Sequence, residues 1–152
     1  MTVAKLESVL NEHTISHELK QFAMSVATVE MAAGAVHAKL DQMIKTVVMV
    51  DKKNDLWVGI VRGDDRVSLS RFGFQLKLDG LRMAKQDEVL ARTGFPVGGV
   101  PPLGFNAHWV MDVKVSEMPF CWAGGGSDKA LLKVTPADIL KATNATVARI
   151  TV

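Results

Sequence analysis

A loop rich in glycine and proline is the part of the chain best suited to chemistry. Residues 93–104 contain four of the twelve glycines and three of the five prolines. Glycine permits positive φ and close backbone approach, whereas proline fixes φ and stiffens the chain. Such a loop can hold unpaired N–H groups in a set geometry, where they stabilise an oxyanion or bind a phosphate or carboxylate. The alternative interpretation is a rigid connector that takes no part in chemistry.

A second candidate is Lys45, which opens an apolar, β-branched run typical of a buried strand, residues 45–50. Burying a lysine charge is costly, so a lysine at the mouth of a core strand indicates a function. The alternative is that its side chain extends from the strand end into solvent. Thr46 follows directly, and successive side chains of a strand point to opposite faces. We therefore expect Thr46 to pack behind Lys45 and to have a supporting role.

Three segments together suggest a family. Their sequences are Ile-Lys-Thr-Val-Val at 44–48, Gly-Asp-Asp-Arg-Val at 63–67 and Thr-Gly-Phe-Pro-Val-Gly-Gly-Val-Pro-Pro-Leu-Gly at 93–104. In this order and spacing the chain resembles the YbaK/ProX aminoacyl-tRNA deacylases, relatives of the editing domain inserted in bacterial prolyl-tRNA synthetases. The resemblance runs from about Thr28 to the C-terminus. It depends on the pair formed by the lysine-threonine strand and the Gly-x-x-x-Pro loop, because either half alone is weak.

The resemblance implies hydrolysis of the ester that joins a small amino acid, alanine or cysteine, to the 3′-terminal ribose of a tRNA. It places the catalytic positions at Lys45, Gly98, Gly99 and Pro102. It places substrate contacts at Thr46, Val100, Pro101, Gly124 and Gly125. In such a site, the lysine positions the acceptor end or the aminoacyl group, and loop N–H groups stabilise the tetrahedral intermediate. No side chain is an evident general base, so attack by a loop-held water and attack by a ribose hydroxyl both stay open.

Two positions depart from the family pattern. Many relatives carry serine where this chain has Pro101, which removes a hydroxyl and a backbone donor. Many relatives have glycine where this chain has His37, and histidine tolerates the left-handed region, so we expect the turn there to survive. The segment 120–132 matches only loosely, which bears on amino-acid specificity more than on the reaction.

Other chemistries find little support in the sequence. His13 and His17 are spaced like two metal ligands on one helix face, but no Glu or Cys completes a zinc set, so no metal or cofactor is expected. Cys121 lies between two aromatic residues and is expected to be a core residue, not a nucleophile. The run of three glycines at 124–126 lacks the Lys-Ser/Thr ending of a phosphate-binding loop. We interpret it as a loop between two strands that lines the pocket.

Composition sets the remaining limits. The 152 residues suit one domain, 1–152, with 48% hydrophobic and 22% charged residues. A net charge of +2 permits contact with a few phosphates and is too small for a general DNA-binding protein. No apolar run approaches the ~20 residues of a membrane span, no secretory leader is evident, and the single cysteine cannot form an internal disulfide. We therefore expect a cytoplasmic protein that does not bind membranes. Its expected partner is the aminoacyl-tRNA acceptor end, an aminoacyl-tRNA synthetase stays open as a second partner, and the sequence does not determine the oligomeric state.

The hydrophobic periodicity predicts alternating short helices and strands. Helices are predicted at 3–12, 29–36, 68–76, 85–92 and 136–143, and strands at 17–22, 45–50, 56–61, 80–84, 108–113, 120–123, 130–134 and 145–152. Thr28 and Ser68 are the expected N-caps of the second and third helices, and the small residues of 29–36 predict a closely packed helix. This pattern indicates an α+β fold with a mixed, strongly curved, partly closed sheet surrounded by short helices. Two other functions stay open: a non-catalytic module that binds tRNA ends or a synthetase, and hydrolysis of an unrelated small ester or amide.

Overall fold

The computed structural model describes residues 2–152, over which helices and strands alternate. The helices are α1 (Thr2–Glu12), α2 (Val29–Val36), α3 (Leu69–Leu76), α4 (Gln86–Thr93), α5 (Val113–Ser116) and α6 (Pro136–Thr143), with a 3₁₀ turn at Leu40–Gln42. The strands are β1 (Glu18–Gln21), β2 (Ile44–Val50), β3 (Leu56–Arg62), β4 (Arg82–Met83), β5 (His108–Asp112), β6 (Cys121–Gly124), β7 (Ala130–Val134) and β8 (Thr146–Ala148).

Two sheets organise the strands of the described chain. The larger has the order β4-β2-β3-β5-β8, in which β3–β5 and β5–β8 are parallel and the other pairs antiparallel. The smaller has the order β1-β7-β6 and is antiparallel throughout. One parallel bridge, Met43 to Trp122, joins the start of β2 to β6. The α+β class with mixed sheet pairing is thus confirmed, and the two sheets do not close into a barrel.

The main core lies between the two sheets. Ile44 and Ile60 from the larger sheet and Ala123 and Leu132 from the smaller one belong to a single buried cluster, completed by α1, α6 and the glycine-proline loop. A second cluster packs α3 on the outer face of the larger sheet, and a third packs α2 on Trp122 and Leu131 of the smaller one. The small residues of α2 permit this close approach, as the sequence predicted.

Local chemistry explains where helices begin and end. Thr28 accepts a hydrogen bond from the Met31 N–H at 3.2 Å and caps α2, and Ser68 caps α3 in the same way. His37 ends α2 with φ 55°, so the left-handed turn survives there, as predicted. The sequence did not predict α5. It forms because Asp112 ends β5 and accepts a hydrogen bond from the Lys114 N–H at 3.1 Å.

No helix in the described chain has the length and apolar character that a membrane crossing requires.

Candidate active site

A cavity of about 310 Å³ lies where the outer edge of β2 is unpaired. On one side of this opening is the Met43–Trp122 bridge, and on the other β4 pairs with Met49 and Val50. The walls come from the segment before α2, from β2, β4 and β6, and from the glycine-proline loop. The lining residues are Val26, Ala27, Thr28, Val29, Ala32, Met43, Ile44, Lys45, Thr46, Val47, Val48, Met83, Ala84, Val89, Val97, Gly98, Val100, Ala123, Gly124 and Leu131.

The backbone of Thr46 faces this opening. The Met43 carbonyl accepts a hydrogen bond from the Gly63 N–H on the β3 side, at 2.7 Å, whereas the Val48 carbonyl accepts one from the Ala84 N–H on the opposite side, at 3.0 Å. Successive residues of a strand turn their backbone groups to alternate sides. The N–H and C=O of Thr46 therefore point away from β3, into the stretch where β2 has no neighbouring strand.

The hydroxyl of Thr46 is also unusual. Its Oγ1 atom is buried and has no hydrogen-bond partner within residues 2–152. An unpaired buried hydroxyl costs about 1–3 kcal/mol. Thr46 shares its strand face with Ile44 and Val48, whose side chains belong to the clusters between and beside the sheets. A polar group bound in the cavity would supply the missing partner.

Lys45 borders the cavity from the opposite face of β2. Val47 and Met49, which share its face, pack with the α3 cluster. The Lys45 Nζ donates a hydrogen bond to the main-chain carbonyl of Asp65, in the turn after β3. The Asp65 carboxylate in turn accepts from Lys114 Nζ at 3.2 Å. The lysine and the threonine therefore lie on opposite faces, as predicted, but Thr46 reaches the cavity directly instead of packing behind Lys45.

Ion pairs fix the turn that holds Lys45. Arg62 and Asp64 form a side-chain pair at 2.6 Å, and this hydrogen bond lowers the pKa of the Asp64 carboxyl. Arg62 also lies 3.8 Å from Asp65. The turn is the Gly-Asp-Asp-Arg segment at 63–66, and the carbonyl oxygen of its Asp65 accepts the hydrogen bond from Lys45.

The glycine-proline loop is anchored at both ends. Its first residue, Thr93, accepts a hydrogen bond from the Phe95 N–H at 3.0 Å, and the side chains of Phe95 and Leu103 are buried in the main core. Between these anchors Gly98 has φ 90°, which favours glycine. A Cβ atom on Gly98 would lie 2.9 Å from the Ala27 Cβ, so the loop and the segment before α2 approach closely at the cavity.

The glycine-proline loop can offer only some of its N–H groups to a ligand. The Gly99 N–H donates to the Pro96 carbonyl at 3.0 Å and is already used. Prolines 101 and 102 have no N–H to donate. The N–H groups of Gly98 and Val100, both of which line the cavity, have no backbone acceptor within the described residues. They are the free donors at this wall.

Other glycines allow two loops to pack against each other. The Gly126 N–H donates to the Gly99 carbonyl at 2.8 Å. A Cβ atom on Gly99 would lie 2.5 Å from the Ser127 carbonyl carbon, and one on Gly124 would lie 2.4 Å from the Val100 oxygen. Gly125 is enclosed in the same way, because a Cβ atom on it would lie 2.6 Å from the Ala130 carbonyl carbon. The glycines of segment 124–126 thus position the loop that forms the cavity wall.

The structure brings part of the predicted set together at the cavity. Lys45, Thr46, Gly98, Val100 and Gly124 line it. Gly99, Pro101, Pro102 and Gly125 are buried behind its wall. The sequence reasoning did not select the lining segment Ala27–Val29 or Met83, although the cap at Thr28 marked the start of α2.

Among the described residues that line the cavity, Lys45 is the only titratable one. Cys121 lies in the main core, where its thiol contacts the Val134 carbonyl at 3.4 Å and burial raises its pKa to about 12. No group of three or more metal-ligating side chains occurs within residues 2–152. What the site offers is therefore one cation, the hydroxyls of Thr46 and Thr28 and a set of backbone donors and acceptors, with the Thr28 hydroxyl already accepting from the Met31 N–H.

The chain is similar to known proteins over most of its length. A sequence profile of the aminoacyl-tRNA editing domain matches residues 23–142. The uncharacterized protein YwhH of Bacillus subtilis is 24% identical over 145 residues, which cover 91% of this chain and 89% of YwhH. The proline–tRNA ligase of Endomicrobium trichonymphae is 27% identical over 130 residues, which cover 85% of this chain but 22% of the ligase.

Solved structures show the same similarity. A proposed trans-editing enzyme for prolyl tRNA synthetase is 30% identical with a TM-score of 0.90, over 99% of this chain and 97% of that one. The hypothetical protein APE2540 is 27% identical with a TM-score of 0.91, over 97% of this chain and 99% of that one.

Proposed function

Since this chain belongs to the aminoacyl-tRNA editing domain family, we propose that it hydrolyses the ester bond of tRNA mischarged with a small amino acid. The reaction takes place in trans, on aminoacyl-tRNA that a synthetase has released, in the cytoplasm where translation proceeds. The similarity to proline–tRNA ligases, of which the chain spans about a fifth, supports a partnership with such a synthetase. Residues 1–152 act as a single editing domain.

The observation that carries this proposal is the set of unpaired polar groups at an otherwise apolar cavity. Thr46 and the N–H groups of Gly98 and Val100 surround a space of about 310 Å³. An aminoacyl ester offers a carbonyl oxygen and an amino group that would satisfy them. The wall residues near them are mostly valine and alanine, so a long polar or charged side chain finds no complement there.

In this mechanism the ester carbonyl oxygen accepts hydrogen bonds from the loop N–H groups of Gly98 and Val100. A water molecule attacks the carbonyl carbon, with the vicinal ribose hydroxyl relaying the proton of this water to the leaving ribose oxygen. The negative charge that develops on the carbonyl oxygen is stabilised by these preorganised donors. Lys45 contributes a positive charge near the acceptor end. The bond from the carbonyl carbon to the ribose oxygen then breaks, and the ribose oxygen takes up the proton given up by the attacking group. The described residues that line the cavity include no histidine or carboxylate to act as a base, which favours substrate-assisted attack.

A deacylation assay on tRNA charged with Ala, Ser, Cys, Thr or Phe tests the proposal. We expect rapid release of the small amino acids and slow release of Phe, with leaky discrimination among the small ones because one methylene is worth only about 1–3 kcal/mol. Preferential release of Phe would contradict the small pocket. Tight binding of tRNA with no release of any amino acid would identify a non-catalytic binding module instead.

A further inference from the structure

A second cavity and a group of lysines and aromatic rings lie on the smaller sheet, apart from the residues assigned above. The cavity has a volume of about 250 Å³ and lies at β1 and β7. Its lining residues are Ser16, His17, Glu18, Phe120, Lys133, Val134 and Thr135. We define the lysine-aromatic surface as Glu18, Lys20, Phe120, Trp122 and Lys133.

The register of the smaller sheet places these side chains on one face. Lys133 pairs with Glu18 on one side and with Trp122 on the other, so the three form a row across β1, β7 and β6. Lys20 lies two residues from Glu18 and therefore shares its face. Both lysines reach solvent, since the side chains of Lys20 and Lys133 are 48% and 38% exposed.

The aromatic rings hold both ammonium groups in place. Lys133 Nζ lies 4.6 Å from the centre of the Phe120 ring and 5.7 Å from that of Trp122, and Lys20 Nζ lies 5.4 Å from the Trp122 ring. Contacts of this kind restrict a flexible lysine without neutralising its charge. Glu18 pairs only loosely, 3.9 Å from each lysine. The two charges are thus positioned and remain available to an anion.

This surface continues the wall of the candidate active site. Gly124 and Leu131 line the first cavity. Trp122 is two residues from Gly124 in β6, and Lys133 is two residues from Leu131 in β7, so each lies on the same face of its strand as the cavity residue. Two residues of a strand span about 7 Å. The lysines therefore lie close enough to the first cavity to contact an RNA whose 3′ end enters it, with α2 packed over Leu131 and Trp122.

We propose that the lysine-aromatic surface binds the phosphodiester backbone of the substrate RNA, with Lys20 and Lys133 as the phosphate contacts. The identity of the ligand rests on the editing function proposed above. Nucleic acid is commonly bound by cationic side chains that lie beside aromatic ones. Here Trp122 is buried and Phe120 is half-buried, so the rings position the two ammonium groups and the lysines make the contact with phosphate. The lysines act in binding and have no part in the chemical step.

The test is the affinity of the full chain for an uncharged tRNA transcript, measured by fluorescence anisotropy over a series of KCl concentrations. K20Q/K133Q is expected to raise the Kd roughly tenfold at about 0.1 M salt and to lower the salt slope by about 1.5. The charge-conserving K20R/K133R should stay within about twofold of wild type. E18Q removes the opposing negative charge and should tighten binding. The matched control K52Q/K53Q removes two exposed lysines from the β2–β3 turn and should change the Kd by less than about twofold.

A Kd for K20Q/K133Q that rises no more than that of K52Q/K53Q would overturn the proposal, as would weaker binding by E18Q. Deacylation assays separate this result from failure of the editing function. In an active enzyme, K20Q/K133Q should raise KM and leave kcat unchanged. A wild-type chain that binds tRNA but releases no amino acid would contradict the editing function, and the order of affinities would still decide the role of this surface.

Discussion

Substitution of Thr46 can separate the effect of its hydroxyl on protein stability from its effect on activity. Thr46→Val keeps the shape of the side chain and removes the buried, unpaired Oγ1. We expect the melting temperature to rise, by the equivalent of about 1 kcal/mol, while kcat/KM falls about tenfold or more because the substrate loses a partner. Thermal unfolding and deacylation rates measure the two effects. Thr46→Ser retains a hydroxyl and should retain most activity, and a Thr46→Val enzyme of normal activity would show the hydroxyl to be irrelevant.

In the proposed mechanism Lys45 contributes a charge to catalysis, and we expect it to contribute little to folding. Within residues 2–152 its Nζ forms a hydrogen bond with the main-chain carbonyl of Asp65 and no ion pair, so Lys45→Ala breaks no buried charge pair. We expect a loss of about 100-fold or more in kcat/KM with a melting temperature close to that of wild type. Lys52→Ala, at an exposed turn position, is the control and should be as active as the native chain. Substantial turnover by Lys45→Ala would remove this lysine from the mechanism.

Cys121 gives a prediction about pH. Burial raises the pKa of its thiol to about 12 in the folded chain, whereas the unfolded thiol ionises near 9. Between these values the unfolded state loses its proton first, so the thiol's contribution to stability falls as pH rises from about 9 towards 12. Relative to Cys121→Ser, the wild-type melting temperature should therefore decline over this range, while both proteins deacylate tRNA at similar rates near pH 7. Rapid alkylation of the native chain by iodoacetamide at pH 8 would contradict the burial argument.

At the scale of elements, the two glycine-containing loops depend on each other. Gly99→Ala would place a Cβ atom 2.5 Å from the backbone of Ser127, so one loop must move. We expect a loss of about 2 kcal/mol or more and reduced activity, since the N–H groups of Gly98 and Val100 move with it. A methyl group added at Gly34 of α2 would meet no atom within 4 Å beyond the backbone of its own helix, and Gly34→Ala should stabilise the protein by about 0.5–1 kcal/mol. Denaturant unfolding of both variants checks this contrast.

Sequence reasoning succeeded where the cause is local. The caps at Thr28 and Ser68, the left-handed turn at His37 and the positive φ of Gly98 follow from residue types and their immediate neighbours. It did not predict the division into two sheets or the opening beside β2. These depend on the Met43–Trp122 bridge. This bridge pairs two distant segments and produces no periodic pattern in the sequence of either one. For the same reason it could not predict which face of β2 meets the cavity, and so gave Thr46 a lesser role.

At the scale of the whole molecule, one buried carboxylate ties the C-terminal segment to the end of β5 in the larger sheet. Asp112 is fully buried and accepts hydrogen bonds from the Ile150 N–H at 2.9 Å and from the Lys114 N–H at 3.1 Å. Asp112→Ala leaves both donors unsatisfied, and we expect a loss of about 2–4 kcal/mol of unfolding free energy. Glu117→Ala, an exposed acidic position at the end of α5, should be near neutral. A chemical denaturation series compares the two, and equal stability would exclude this role for Asp112.

The opening beside β2 also affects the tendency of this protein to associate with itself. An unpaired strand edge is a template for aggregation, because a second chain can add to it as a new strand. Here the free stretch of β2 is short and is closed at one end by the Trp122 bridge and at the other by β4. The outermost strands of the larger sheet, β4 and β8, have two and three residues, and those of the smaller sheet, β1 and β6, have four each, too few to template a long pairing. The fold can therefore keep backbone groups open to a ligand the size of one amino acid while resisting edge-to-edge association between chains.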